Sequence, residues 1–455
     1  MHRNAALRVV RVLREHGHEA LLVGGCVRDL LLGRDPADYD VATSATPDKV
    51  MQIFPQTYAV GAQFGVVLVP LKALGDDGRG HIEVATFRSD GAYLDGRHPD
   101  SVRYTTSARH DVERRDFTIN GLLLDPLSAH PNTPHGEVLD YVEGLRDLER
   151  GVVRTIGNPE QRFAEDKLRM LRAIRFAARF GYTIDAETAE AIRRLASQIH
   201  QVSCERIRDE LSKMLTEGRA RRAFQLLDET GLLREVLPEI TRMKGVQQPP
   251  QFHPEGDVFV HTLLLLENLP AGCSLTLAWG ALLHDVGKPA TFRRAPDRIR
   301  FDGHVEIGVR IAEDILGRLR FSNRDRDQII ALVNNHMRFA DVRKMKDSTF
   351  KRFVRLAEFD EHLELHRLDC LASHGSLDLY DYTRERLAAI PAGAVRPAPL
   401  INGHDLIAAG YTPGPRFSEI LAAVEDAQLE GTITTRDEAL KFAATNFPPN
   451  YNKSS

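Results

Sequence analysis

Apolar and polar positions follow different rhythms in successive parts of this 455-residue chain. In the first 145 residues, short runs at 20–23, 38–42, 66–71, 81–87 and 118–124 have the compactness or two-residue alternation of strands. Helical stretches lie between them, one announced by Thr46-Pro47-Asp48, a capping residue followed by proline at the first helical position. The mixture predicts an α+β domain. From about 145 to 242 the strand signals stop, and Leu, Ile and Ala recur at helical spacing among arginines. The breaker-rich GVQQPPQFHP (245–254) reads as a linker to a histidine-rich helical stretch, 257 to about 377. PAGAVRPAP (391–399) precedes a small helical tail, and the final PPNYNKSS reads as disordered. The expected domains are 1–145, 146–244, 245–377 and 378–455.

Composition narrows the class. With 42 % hydrophobic and 27 % charged residues the chain reads as an ordinary globular protein. No apolar run approaches the roughly 18 residues that span a bilayer, and the start reads as an amphipathic pattern and not a signal peptide, so the expected setting is the cytoplasm, with no membrane. Cys26, Cys204, Cys273 and Cys370 stand singly, which suggests neither a disulfide framework nor a zinc ribbon. The net charge is −4, yet 146–222 holds 17 Lys/Arg against 12 Asp/Glu, a local excess of +5 that suits a phosphate-binding face or a solvated helix surface.

The stretch LLVGGCVRDLLLGRDPADYDVA (21–42) concentrates the chemistry of the head. In a strand, Asp38 and Asp40 project to the same side while Tyr39 and Val41 face the other. Two carboxylates held so close repel unless a cation lies between them, and their hard oxygens suit Mg²⁺ better than zinc. Glu83, in the β-type run HIEVATF, is a candidate third ligand, which would complete a two-metal phosphoryl-transfer site. Gly24 and Gly25, between strand and helix, let the backbone approach a phosphate, with Arg28 adding positive potential.

The run GGCVRDLLLGRDPADYD resembles the signature of the class II tRNA nucleotidyltransferases, the CCA-adding enzymes and their bacterial poly(A) polymerase relatives. The resemblance continues in order through RRDFTINGLLLD (114–125), DYVEGLRDL (140–148), EDKLRMLRAIRFAARF (165–180) and ERIRDELSKML (205–215), about the first half of the chain. It departs at Gly121, where the family more often has alanine. It implies a polymerase-β-like mixed-sheet head followed by an all-α neck and body. It also implies CTP and ATP as substrates and the 3′ end of tRNA as partner. Arg115, Asp116 and Asn120 are then expected at the sugar and triphosphate, Arg172 and, more remotely, Arg175 at a phosphate or base. The polar stretch between Arg88 and His110 looks like the family's flexible loop.

Asp166 and Arg169, three apart on a helix, would be neighbours on one face and set an acceptor beside a donor. Cytosine and adenine both offer an exocyclic amine beside a bare ring nitrogen, whereas uracil and guanine reverse that order. This pair would therefore stand in for a template, as the resemblance implies, because a wrong base leaves buried polar groups unpaired. The rivals within this class are an enzyme adding only A and a poly(A) polymerase.

A second constellation is separate. His284-Asp285 adjoin in ALLHDVGKPATF, read as an apolar helix, with His261 before and His304, His336 and Asp369 after. Converging imidazoles and carboxylates in a helical bundle call for a metal to offset their burial. The segment resembles the HD phosphohydrolase superfamily, all-α, with His261, His284, Asp285 and Asp369 at its four ligand positions. His304 and His336 could support a second metal or the phosphate, and Lys288 could face the substrate. The resemblance implies a divalent ion, Mn²⁺, Ni²⁺, Fe²⁺ or Mg²⁺, and phosphatase or 2′,3′-cyclic phosphodiesterase activity. The reading from another class is a metal phosphohydrolase whose first half merely binds RNA. Residues 401–421 of the tail read as amphipathic helices that pack onto this domain, with contact to RNA as the alternative.

Overall fold

A computed structural model describes residues 2–58, 65–74, 80–91, 101–130, 133–251, 253–391 and 393–448. The centre of the loop expected between Arg88 and His110 and almost all of the final PPNYNKSS lie outside them. The chain divides into two compact units, Met1–Arg242 with Leu269–Gly272 and Gly317–Arg320, and Met243–Asn268 with Cys273–Leu316 and Phe321–Ser455.

In the first unit the strands are β1 (Ala20–Val23), β2 (Asp40–Thr43), β3 (Val66–Pro70), β4 (His81–Thr86), β5 (Arg88–Asp90), β6 (Val102–Tyr104), β7 (Leu123–Asp125), β8 (Glu137–Leu139) and, within the stretch expected to be wholly helical, the short parallel pair β9 (Val152–Val153) and β10 (Thr183–Ile184). Six of them form a mixed sheet in the order β3-β4-β2-β1-β7-β8, with β2 and β4 parallel and the other neighbours antiparallel. Leu21, Val23, Ala42, Phe87, Val112 and Leu123 bury one side of it. The helix Pro47–Ile53 starts at the expected proline, with Thr46 as its N-cap residue.

Two expected strands are shortened. Asp38 precedes β2, which begins only at Asp40, and 118–124 splits into a 3-10 turn, Thr118–Asn120, and β7. The turn forms because the Asn120 amide donates to Asp116 Oδ1 at 3.1 Å, a local bond that competes with a ladder. Gly121 follows it, and a Cβ there would lie 2.8 Å from Val142 Cγ2 and 3.0 Å from Ile156 Cδ1. The packing of this chain thus excludes the alanine more usual at that position without a shift of its neighbours.

Helices follow, among them Pro159–Glu165, Leu168–Phe180, Ala186–Leu195, Cys204–Thr216 and Ala220–Glu229. The second unit is helical apart from a two-stranded ribbon, Arg293–Arg294 with Ile299–Arg300. Its tail helix Arg416–Leu429 packs on the helix Asp347–Phe353, where Arg352 donates to Glu425 Oε2 at 2.8 Å and Ser348 N to Glu430 Oε1 at 2.8 Å.

Candidate functional sites

In the head, β2 and β4 pair in register with Asp40 opposite Glu83. Tyr39 is buried while Asp38 is exposed and Asp40 half-buried, and along β4 Glu83 is exposed between buried Ile82 and Val84. The period of two thus puts Asp40 and Glu83 on the open side of the sheet, and Asp38, just before β2, is exposed with its charge acting on Asp40. Burial, then the charges of Glu83 and Asp38, push the Asp40 carboxyl up to about 6, against the opposing pull of Arg115. Hard carboxylate oxygens whose like charges disfavour ionisation of Asp40 fit a divalent cation. These three carboxylates do not close into a tight ligand group; among the described residues such groups all lie in the second unit.

Gly24 joins β1 to the helix Gly25–Leu31 at φ 75° and ψ −127°, a conformation that favours glycine. A Cβ on it would sit 3.3 Å from Nη1 of Arg115, so that guanidinium stands over the turn. Buried Asp111 holds it there, accepting from Arg115 Nη2 at 2.9 Å and from Arg114 Nη2 at 2.7 Å. Arg28, expected to face phosphate, is buried behind the turn. It donates to Asn120 Oδ1 at 2.6 Å and to Asp29 Oδ1 at 2.8 Å, and its guanidinium lies 4.6 Å from the Phe180 ring. Asn120 in turn holds Asp116, whose other oxygen accepts from Arg172 Nε at 2.9 Å. Burial would raise the Asp116 carboxyl, but Arg172 and Arg169 bring it down to about 2.

Asp166 and Arg169 do not share a helix. Asp166 is extended at φ −149°, between the helices Pro159–Glu165 and Leu168–Phe180, and its Oδ1 accepts from Leu168 N at 3.0 Å. A carboxylate beside the free amides of a helix start interrupts the run that periodicity alone continues. Both Asp166 oxygens are gripped by Arg206, at 3.2 and 2.7 Å. Arg169 pairs with Glu165 and donates to the carbonyls of Arg162 and Arg114 at 3.1 and 3.2 Å. Arg175 is buried and forms an internal ion pair, its Nε 2.6 Å from Glu210 Oε2, in place of the nucleotide contact expected of it.

In the second unit four imidazoles and two carboxylates converge. His261 lies on the helix Val258–Glu267, His304 opens His304–Arg318, and Asp369 lies on Phe359–Ala372. His284 is the C-cap of Leu275–Leu283, so Asp285 falls in the following turn and not on the helix. His336 likewise caps Asn323–Asn335. His261, His284 and Asp285 form one tight group, and Asp285, His304 and His336 another. His284 Nε2 lies 3.1 Å from Asp285 Oδ2, and His261 Nε2 lies 3.1 Å from Asp369 Oδ1. Both nitrogens are buried without hydrogen-bond geometry to any partner among the described residues, as expected of ligands aimed at a common ion. Lys288 donates to Asp285 Oδ2 at 2.7 Å. A cavity of about 460 Å³ opens beside the cluster, lined by Lys288, Arg300, Phe301, His304, His336 and Asp369 among others.

Comparison with known proteins fits this geometry. Family models match residues 20–154 (poly A polymerase head domain), 181–244 (probable RNA and SrmB-binding site of polymerase A) and 260–359 (HD domain). A CCA-adding enzyme of Lactobacillus johnsonii is 42 % identical over 448 residues, 97 % of each chain. The chain belongs to the CCA-adding enzyme family. A second member, from a Geobacillus species, is 31 % identical over 96 % of this chain and 95 % of its own. The match to the Geobacillus thermodenitrificans CCA-adding enzyme, 44 % over 227 residues, spans half of this chain and 53 % of that relative. The solved CCA-adding enzyme of Bacillus stearothermophilus, in complex with CTP, superposes with a TM-score of 0.73 at 28 % identity, over 97 % of this chain and 98 % of that one.

Arg206, Asp111, Glu210 and Glu255 were not singled out in the sequence. Arg206 lies 40 positions from the aspartate it holds, so no local period joins the two. Membership in the CCA-adding enzyme family covers the head, body and HD segments together.

Proposed function

We propose that this chain extends the 3′ end of tRNA with C and A from CTP and ATP, without a nucleic-acid template and with release of pyrophosphate. The observation that carries the reading is the open face on which Asp40 and Glu83 stand in register beside the Gly24 turn. End-to-end similarity to CCA-adding enzymes supports it. The RNA 3′-hydroxyl oxygen attacks the α-phosphorus; a new P–O bond forms, the bond to the bridging oxygen breaks, and the hydroxyl proton passes to solvent. Asp38, Asp40 and Glu83 would hold Mg²⁺, which supplies Lewis acidity to the hydroxyl and the triphosphate. Gly24 and Gly25 admit the phosphates to the backbone and Arg115 offsets their charge. Asp116 and Asn120 would face the sugar and triphosphate, with Arg172, bonded to Asp116, at a phosphate or base, and Asp166 with Arg169 would read the base.

The second centre would bind a divalent ion, Mn²⁺, Ni²⁺, Fe²⁺ or Mg²⁺, through His261, His284, Asp285 and Asp369, with His304 and His336 on the other side of Asp285. Phosphate-ester hydrolysis is its proposed chemistry, with Lys288 neutralising the substrate. Among the described residues no helix is long and apolar enough to cross a membrane. A cytoplasmic setting belongs to the same reading.

Transcripts of tRNA ending before CCA, before CA and before A, offered CTP and ATP separately and together, test it. The expected result is C on the first two and A on the last. Addition confined to the last would mark an A-adding enzyme, long A tails a poly(A) polymerase, and no incorporation beside retained phosphohydrolysis the HD reading alone.

A further inference from the structure

The stretch 245–254 reads as a linker, and with Glu255–Asp257 after it precedes the residues matched by the HD family model. In the structure it is stapled across itself. Gln248 N donates to Gly256 O at 2.7 Å, Val258 N to Val246 O at 3.0 Å, and His253 N to Pro249 O at 3.0 Å. The staples bring two buried side chains against the metal-ligand cluster. Gln248 accepts from Lys288 Nζ at 2.6 Å. Glu255, whose side chain is 6 % exposed, bonds through Oε1 to Nδ1 of His261 at 2.7 Å and Nδ1 of His253 at 2.9 Å.

The four histidines of the cluster solve one problem in two ways. Each points Nε2 inward only if Nδ1 finds an acceptor that fixes the ring and its tautomer. His284, His304 and His336 use the carbonyl three residues back, Ala281, Phe301 and Val333, at 2.9, 2.9 and 2.7 Å. His261 stands in the first turn of its helix, where the carbonyl three residues back, that of Val258, accepts from Thr262 Oγ1 at 2.9 Å. Its acceptor is the Glu255 carboxylate.

We propose that Glu255 is a positioning residue of the HD centre, fixing His261 so that its Nε2 faces Asp285 and Asp369, and that 245–257 is a working part of that centre. This rests on the reading of His261, His284, Asp285 and Asp369 as metal ligands. Of the four Nδ1 acceptors only this one is a side chain, so mutation can remove it without touching a ligand.

The test titrates the full-length protein with Ni²⁺ and with Co²⁺ alone, following affinity and the visible Co²⁺ absorption, for wild type, H284A, E255A and E255Q. E255A is expected to weaken ion binding at this centre about 10–100-fold and to alter the Co²⁺ spectrum. E255Q, which keeps an acceptor, is expected to recover part of both and to unfold, metal-free, at the wild-type midpoint. Should E255A fail to fold, the affinity and spectrum of E255Q decide alone. H284A binding ions with the wild-type affinity and spectrum would overturn the metal reading itself. Loss of the site in H284A with wild-type affinity and spectrum in the Glu255 variants would overturn the positioning role. So would weakened binding with an unchanged spectrum.

Discussion

Both oxygens of Asp166, the proposed base reader, are held by Arg206, and Arg169 is steadied by Glu165 and two backbone carbonyls. Side chains held this way present one acceptor and one donor in fixed directions. A base with the reversed edge leaves them unpaired, at about 1–3 kcal/mol for each failed bond. The double variant D166A/R169A is therefore expected to lose about 10–100-fold of the preference for C and A over U and G, read by competition among the four nucleotides. Unchanged preference would remove these two residues from base selection. At this scale Asp40 and Glu83 were legible because a strand has a period of two. Helical spacing pairs 166 with 169, but the helix breaks between them, and Arg206 is illegible because it lies 40 positions from Asp166, which sits in extended backbone between helices.

The helix Phe359–Ala372 carries its own pH response. Burial lowers both His362 and His366 to about 4, and His366 stacks on Phe339 with ring centroids 4.4 Å apart. Each ring is neutral in the folded chain until about pH 4, whereas the unfolded chain protonates it near 6.5. Between those values the unfolded state binds more protons, so stability falls as pH falls, by up to about 1.4 kcal/mol per pH unit for each ring. Denaturant midpoints followed by buried Trp279, the only tryptophan, are expected to drop from pH 6.5 to 4.5, and less steeply in H362Q. Equal slopes would deny the histidine its part. Among elements, apolar periodicity identified helices and strands well and their ends poorly. Ends depend on single bonds such as Asn120 to Asp116, and the stapled stretch 245–257 hides its order behind prolines and glycines.

At the scale of the whole chain, two compact units each keep their own candidate cluster: carboxylates on an open sheet face in one, histidines and carboxylates buried among helices in the other. The order of motifs made both legible, since each constellation is assembled from segments whose local pattern is strong. The central claim is that a single centre built on Asp38, Asp40 and Glu83 adds both nucleotides. It is tested most directly by measuring CMP and AMP incorporation into trimmed tRNA by D40A. The account predicts that both fall together, by at least about a thousandfold, since removing a ligand forfeits several kcal/mol of transition-state stabilisation. Incorporation of either nucleotide near the wild-type rate would contradict it.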